Sequence, residues 1–434
     1  MGSNGLFGDA SSRSTPIKFH SPGLTNFCWL ATIKIHQKLI GEEPHVGNQY
    51  AQSHFVSHDL GLAVRKTAEQ IQWSIEGEVD LVVAFAAGYS GEAFDLAMHE
   101  LQTLTGATTV LGCTCETALG GGLELEQETA LSVWAASLPT AEIIPMHLDF
   151  VRAAGESAIV GWPDELLGEW PRDSSMLMLG EPFGFPVDVM LERFNEDRPG
   201  IQIAGGMASG AQMPGQARLL LNGETFSEGA VAVRISGAPV RTIVSQGCRP
   251  IGEPMVITKS ERNIIEQLGG KLALDVVYEL FQTLPTREQT MFQSGLFVGR
   301  VINEYQEKFE YGDFLIRNVV GLDKELRSIT IGDFVRPGQT VQFHIRDAES
   351  ASVELSQMLV KAVEQRPYAS ALLFTCNGRG LNMFSDPHHD ANLVFTNGKD
   401  RQAPTAGFFA AGEIGNVGGK NFLHGFTASV LLFE

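Results

Sequence analysis

The sequence predicts an α/β protein of mixed α+β character: stacked mixed β-sheets flanked by helices, assembled from repeated β-loop-α-β-Gly turn-β units in two halves. Three observations predict it. A segment that begins near Asp80 (DLVVAFAAGYSGEAFDLAMHELQTLTGATTVLGCTCETALGGG) has a counterpart near Ser175, 95 residues later, and a third between Ala371 and Gly419. Within each copy the apolar pattern changes from a continuous strand-like run to a helical spacing and back. Each copy then passes a glycine-bearing turn before another apolar run, the composition of a tight reversal.

In the first copy, Leu81–Tyr89 is the opening run, and Phe94, Ala97, Met98, Leu101 and Leu104 fall on one helical face. Thr109–Leu111 is a short buried strand and Ala130–Ala136 the closing one. In the second copy, Val187, Met190, Leu191 and Phe194 mark the helix, which Pro199-Gly200 ends. Ile201–Ala204 and Gly229–Ile235 are its later strands. In the third, Ala371–Thr375, Gly407–Ala411 and Phe426–Phe433 are strands, and His388-His389-Asp390-Ala391-Asn392-Leu393 fits a loop or a short helix equally. A helix over Asp59–Trp73 feeds the first copy. Another, N-capped by Asp347 and stopped before Pro367, feeds the third. Between copies two and three the pattern gives strands at Arg241–Ser245 and Met255–Thr258, a helix over Leu272–Leu284, and strands at Phe314–Val320, Ser328–Ile331 and Thr340–Ile345. Asp323-Lys324 and Arg336-Pro337-Gly338 supply turns there.

A chain of 434 residues is long for one core. Residues 1–24 are expected as a disordered leader, 25–250 as one domain and 251–434 as a second. The 51 acidic against 31 basic residues give a net charge of −20, which repels nucleic acid and anionic lipid, so neither is an expected partner. No apolar run reaches membrane-span length, and no secretory signal opens the chain. Five dispersed cysteines without a C-x-x-C pair fit a reducing cytoplasm better than a disulfide framework. G-x-G-x-x-G and Walker A patterns are absent, and no cofactor is expected.

The candidate site lies in the last sixty residues. Cys376, Asn377 and Arg379 follow one strand, and Glu413, Lys420, Asn421 and His424 follow another. A guanidinium and a carboxylate suit the two ends of an α-amino acid, unless Arg379 and Glu413 pair with each other beneath the turn. Asn377 and Asn421 either read a ligand or hold their own turns. Cys376 near a cation, with His424 or His388 as base, would make a thiol enzyme; a buried structural thiol is the plainer reading. His388-His389-Asp390 is expected to be a solvated loop rather than a metal site, since nothing in the spacing requires His344 and His424 to converge on it. Thr114, Glu116 and Ser209 occupy the equivalent turns of the first two copies, and would share one pocket with Glu413 if the three turns met. Arg300 and Asn318 are further pocket candidates. No catalytic residue is assigned. A scaffold with an exposed apolar patch is the other alternative.

The segments VLGCTCETALGGG (Val110–Gly122), EPFGFPVD (Glu181–Asp188), GGMASG (Gly205–Gly210), LNGETFSEGAVAV, VSQGCRPIGEPMVIT, FLIRNVVGLD, LLFTCNGRG and AGFFAAGEIGNVGGKNFLHGFTAS resemble FIST domain proteins, which pair an N-terminal and a C-terminal FIST domain. The resemblance spans Thr25 to Glu434. It implies a sensory protein for small ligands such as amino acids, working in signal transduction. No kinase, cyclase, receiver or F-box segment is recognisable, so output is expected through a separate signalling partner.

Overall fold

The computed structural model describes residues 47–434, except 154–155, 307, 310–312 and 400–401. The expected leader over residues 1–24 lies outside the described residues. Residues Gly47–Glu434 form one compact α+β unit of four sheets.

Each repeat contributes two parallel strands joined through helical chain, then a returning strand antiparallel to the first. In the first sheet these are Leu81–Ala87, Thr109–Cys115 and Ala130–Ser137. In the second they are Ser175–Gly180, Gln202–Met207 and Ala230–Ser236. In the third they are Ser370–Cys376, Thr405–Ala410 and Ala428–Phe433. One preceding strand completes the far side of each, Gln49–Val56, Glu142–Ala153 and Val240–Ser245, and in the second sheet Glu156–Val160 adds a seventh strand beyond it.

The glycine-bearing turns are not simple reversals. Each carries a short hairpin, and each hairpin joins the sheet of a different repeat. Ala118–Gly120 and Leu123–Glu124 of the first copy pair with Thr405–Ala410 in the third sheet. Leu219–Leu221 and Glu224–Phe226 of the second copy extend the first sheet beside Thr109–Cys115. Glu413–Val417 and Lys420–His424 of the third copy extend the second sheet beside Gln202–Met207. The exchange is cyclic, so the three sheets share one order of six strands, with one more at the edge of the second, and the two halves of the sequence interleave.

One glycine per copy makes this close packing possible. Gly112, Gly205 and Gly407 stand opposite Ala84, Met178 and Leu373 on the neighbouring parallel strand. A Cβ on them would lie 2.7, 1.8 and 1.8 Å from those residues' carbonyl oxygens, distances no side chain tolerates.

Successive strand residues point to opposite faces, and both faces are buried. Leu81, Val83 and Phe85 meet Leu177, Leu179, Leu372 and Phe374 in a core shared by all three sheets, while Val82, Ala84 and Ala86 pack under the outer helices. The helix Leu60–Ser74, capped by Asp59, covers the first sheet, Val187–Asp197 the second, and Ala348–Gln365, capped by Asp347, the third. The helix expected over Phe94–Leu104 is two short ones, Gly91–Ala97 and Glu100–Thr105. The ambiguous third-copy segment is the helix His389–Asn397.

The tract between copies two and three is a fourth sheet. Its long strand Cys248–Glu261 pairs with Thr340–Arg346 on one side and Ile264–Leu268 on the other, curling the sheet into a partial barrel around Ile257, Val298, Ile329 and Phe343.

Candidate functional site

The turns of the three repeats do meet, and they meet through hydrogen bonds. Glu116 N–H donates to Ser209 Oγ at 2.9 Å, and Ser209 Oγ donates to the Phe409 carbonyl. Met207 N–H donates to Gly412 O at 2.8 Å, and Ala411 N–H to Met207 O at 3.0 Å. Thr114 Oγ1 accepts from Arg218 N–H. These residues close the axis of the fold.

Beside that junction, the end of the strand Ser370–Cys376 gathers an unusual density of buried charge. Arg379 and Glu413 are completely buried, but they do not pair with each other. Arg379 holds Asp390 with two bonds, Nε to Oδ2 at 2.6 Å and Nη2 to Oδ1 at 2.8 Å. Thr375 Oγ1 adds a third at 2.7 Å, and His389 bridges Asp390 Oδ1 to Ser352 Oγ at 2.9 and 2.8 Å. Burial alone would raise the Asp390 carboxyl. The guanidinium overcomes burial and holds that carboxyl well below the usual carboxylate range. Asp390 is therefore an ionised helix-start residue, not part of the expected solvated loop. His388 is tied in as well, its Nδ1 lying 3.1 Å from Glu124 N–H. His344 is buried elsewhere, against Phe314. Among the described residues no three His, Cys, Asp or Glu side chains group as metal ligands.

Glu413 is the first residue of an exchanged strand. Its Oε2 accepts from Thr427 N–H and Oγ1, both at 3.0 Å. Burial pushes its carboxyl from 4.5 up to about 8. The neighbouring Cys376 thiol is half-buried, and burial, with the Glu413 charge, pushes it up to about 12. Opposite stand Arg346 and Cys248 from the fourth sheet. Cys248 is raised to about 12 by burial, and Arg346 is lowered by burial against the pull of Cys248 and Cys376. The Arg346 guanidinium lies 3.2 Å over the Phe426 ring and 5.2 Å from that of Phe297. Glu354 accepts from Ser245 Oγ at 2.8 Å and Gly247 N–H at 2.9 Å, and burial raises its carboxyl.

Two glycines permit this density. A Cβ on Gly247 would lie 2.7 Å from Arg379 Nη1, and one on Gly378 2.9 Å from the Phe426 ring. Phe426 itself adopts φ +66, an uncommon backbone for an aromatic residue. Four buried polar atoms here make no N–H or O–H hydrogen bond among the described residues, namely Arg379 Nη1, Glu413 Oε1, Asn377 Oδ1 and Arg346 Nε, although the Cys376 thiol lies against the Glu413 carboxyl and the Cys248 thiol against the Arg346 guanidinium.

The remaining nominated residues lie elsewhere. Asn421 is a fully committed staple between repeats. Its side chain binds Ile203 N–H, Ile201 O, Asn195 and Asn416, which exhausts an amide's capacity. His424 is buried against the Gly415 carbonyl, and burial lowers it to about 3, so it is no base for Cys376. Lys420 is exposed at its hairpin tip beside Asn303. Arg300 pairs with Asp333 at 3.2 Å, and Asn318 is exposed on the fourth sheet. Sequence reasoning passed over Arg346 and Cys248, which reach the site because the fourth sheet docks there, and Glu354, which the helix Ala348–Gln365 over the third sheet carries in.

The chain is thus a repeat protein with cyclically exchanged hairpins and a buried charge cluster at the ends of two parallel strands. The chain matches the FIST N domain over residues 80–271 and the FIST C domain over residues 273–416, and it belongs to the FIST family. FIST domains are associated with signal transduction and small-ligand sensing. The chain is 39% identical over 356 residues to the uncharacterized protein Rv0628c of Mycobacterium tuberculosis (strain ATCC 25618 / H37Rv), covering 81% of this chain and 90% of the relative. It is 37% identical over 381 residues to the uncharacterized protein Mb0898c of Mycobacterium bovis (strain ATCC BAA-935 / AF2122/97), covering 86% and 96%. No helix among the described residues is long and apolar enough to cross a membrane.

Proposed function

We propose that this chain is a cytoplasmic sensor that binds a small polar metabolite, an amino acid in the first instance, beside Cys376 and reports it to a separate signalling protein. The observation that carries this reading is the set of unpartnered buried atoms around Arg379, Glu413, Asn377 and Arg346. Leaving such a group unpaired costs about 1–3 kcal/mol, so four together call for an occupant. A ligand carboxylate would take the donors of Arg379 and Arg346, and an ammonium would take Glu413 Oε1. Phe426 covers Gly378 and holds a left-handed backbone, and it would have to move to admit a ligand. A thiol held near 12 supports binding over nucleophilic chemistry at Cys376.

The test is a thermal-shift screen of the amino acids, followed by calorimetry on the wild type, Arg346→Met and Glu413→Gln. A true ligand at about 100 times its Kd stabilises by about 2.7 kcal/mol, and both variants lose that response. Flat responses to the whole panel, or equal binding by both variants, contradict the reading.

A further inference from the structure

The partial barrel has a gap in its wall. Strand Leu296–Val301 pairs with Phe314–Asn318 of the strand Phe314–Asp323, and the pairing stops there. On the N-terminal side of Leu296 the chain leaves the sheet at Gly295 and turns into the helix Thr286–Ser294. Among the described residues, Val319–Asp323 runs on paired only with Ser328–Ile331 on its other side, and that ladder is broken by a bulge between Val319 and Gly321. The vacated position is a cavity of about 510 Å³. Tyr278, Phe281, Phe292 and Leu296 line it, with Val320 and Leu322 of the open strand, 63% and 49% exposed.

We propose that this gap is a docking site for an extended peptide segment of a partner protein, which adds as a strand in line with Leu296–Val301. Two independent features fix the occupant. The open side of Val319–Asp323 presents backbone N–H and C=O groups at strand spacing, and only an extended backbone matches them in series. The cavity beside it is apolar and of a size that takes one or two large side chains. A strand of four residues spans about 13 Å, with alternate side chains turned to the same face. The partner segment therefore carries Leu, Phe or Val at alternating positions. The site is separate from the charge cluster and does not rest on the sensor reading.

The probe is a fluorescein-labelled octapeptide alternating threonine with valine, leucine or phenylalanine, followed by anisotropy on the full chain. The same peptide with alternate backbone nitrogens methylated keeps its apolar surface and loses its ladder donors. The proposal expects saturable binding below about 1 mM that falls about tenfold or more on methylation, the equivalent of one to two net hydrogen bonds. Leu322→Asp, at a half-exposed position, lowers the affinity of the unmethylated peptide without changing the melting temperature. Equal binding by both peptides would reduce the gap to an unspecific apolar patch and overturn the proposal, as would no saturable binding. Concentration-dependent dimerisation in sedimentation, abolished by Leu322→Asp, would overturn it in favour of a second copy of this chain.

Discussion

Glu413→Gln removes a carboxyl that the fold holds in the wrong medium for its charge. The carboxyl is raised from 4.5 to about 8, with burial the leading cause. Between those values the folded protein binds more protons at this position than the unfolded chain does. The stability contribution is therefore fully present below pH 4.5 and lost as pH rises through about 8. At about 1.4 kcal/mol per unit, the ceiling on this loss is roughly 5 kcal/mol, and structural relaxation takes the expected value to a few kcal/mol. Glutamine keeps an acceptor for Thr427 and titrates nowhere. Urea unfolding at pH 5, 7 and 9 measures the difference directly. The variant should be similar to or less stable than wild type at pH 5, and should gain on it by a few kcal/mol at pH 9. A difference that stays flat from pH 5 to 9 would mean that Glu413 is ionised throughout, and the argument for a buried neutral carboxyl would fail.

Other substitutions separate architecture from site. Gly407→Ala drives a Cβ into the Leu373 carbonyl and should cost about 3 kcal/mol or more by denaturant unfolding, unlike Gly168→Ala, which meets open space. Arg379→Met leaves Asp390 buried without its partner and should cost about 3–5 kcal/mol; Arg379→Met with Asp390→Asn should recover much of that. Asn421→Ala orphans Ile203 N–H and Ile201 O and should lower stability by about 2 kcal/mol or more, with no effect on ligand affinity in calorimetry. Cys376 should react with iodoacetamide at pH 7.5 far more slowly than a free thiol, because burial holds it protonated; rapid alkylation followed by mass spectrometry would contradict that.

The repeats were legible in the sequence because each needs the same succession of periodicities. Even the strand glycines Gly112, Gly205 and Gly407 stand at matching places. The hairpin exchange was not legible. Ala118–Glu124, Leu219–Phe226 and Glu413–His424 are too short and too glycine-rich for local pattern to say which sheet they join. That blindness carried into the site. Arg379 and Glu413 stand out by sequence proximity to glycine turns, yet the partner of Arg379 is Asp390, eleven residues on, in a segment that looked solvated. Asp390 in turn receives Glu124 from the first repeat, which accepts from Asp390 N–H at 3.0 Å and sits raised to about 7, chiefly by burial. Arg346 and Glu354 were invisible for a similar reason: one ends a strand of the fourth sheet and the other lies mid-helix, and only tertiary docking brings Arg346 to Cys376 and Glu354 to Arg379. Lys420 and Asn421 show the converse, polar residues beside a glycine turn that serve a hairpin tip and an inter-repeat staple.

A crystal structure of the chain grown with the amino acid that stabilises it most bears directly on the central claim. The account predicts density between Arg346, Arg379 and Glu413, with Phe426 displaced and the unpartnered atoms Nη1 and Oε1 both engaged. A closed Phe426 over an unchanged cluster, with the ligand bound at another place, would contradict it.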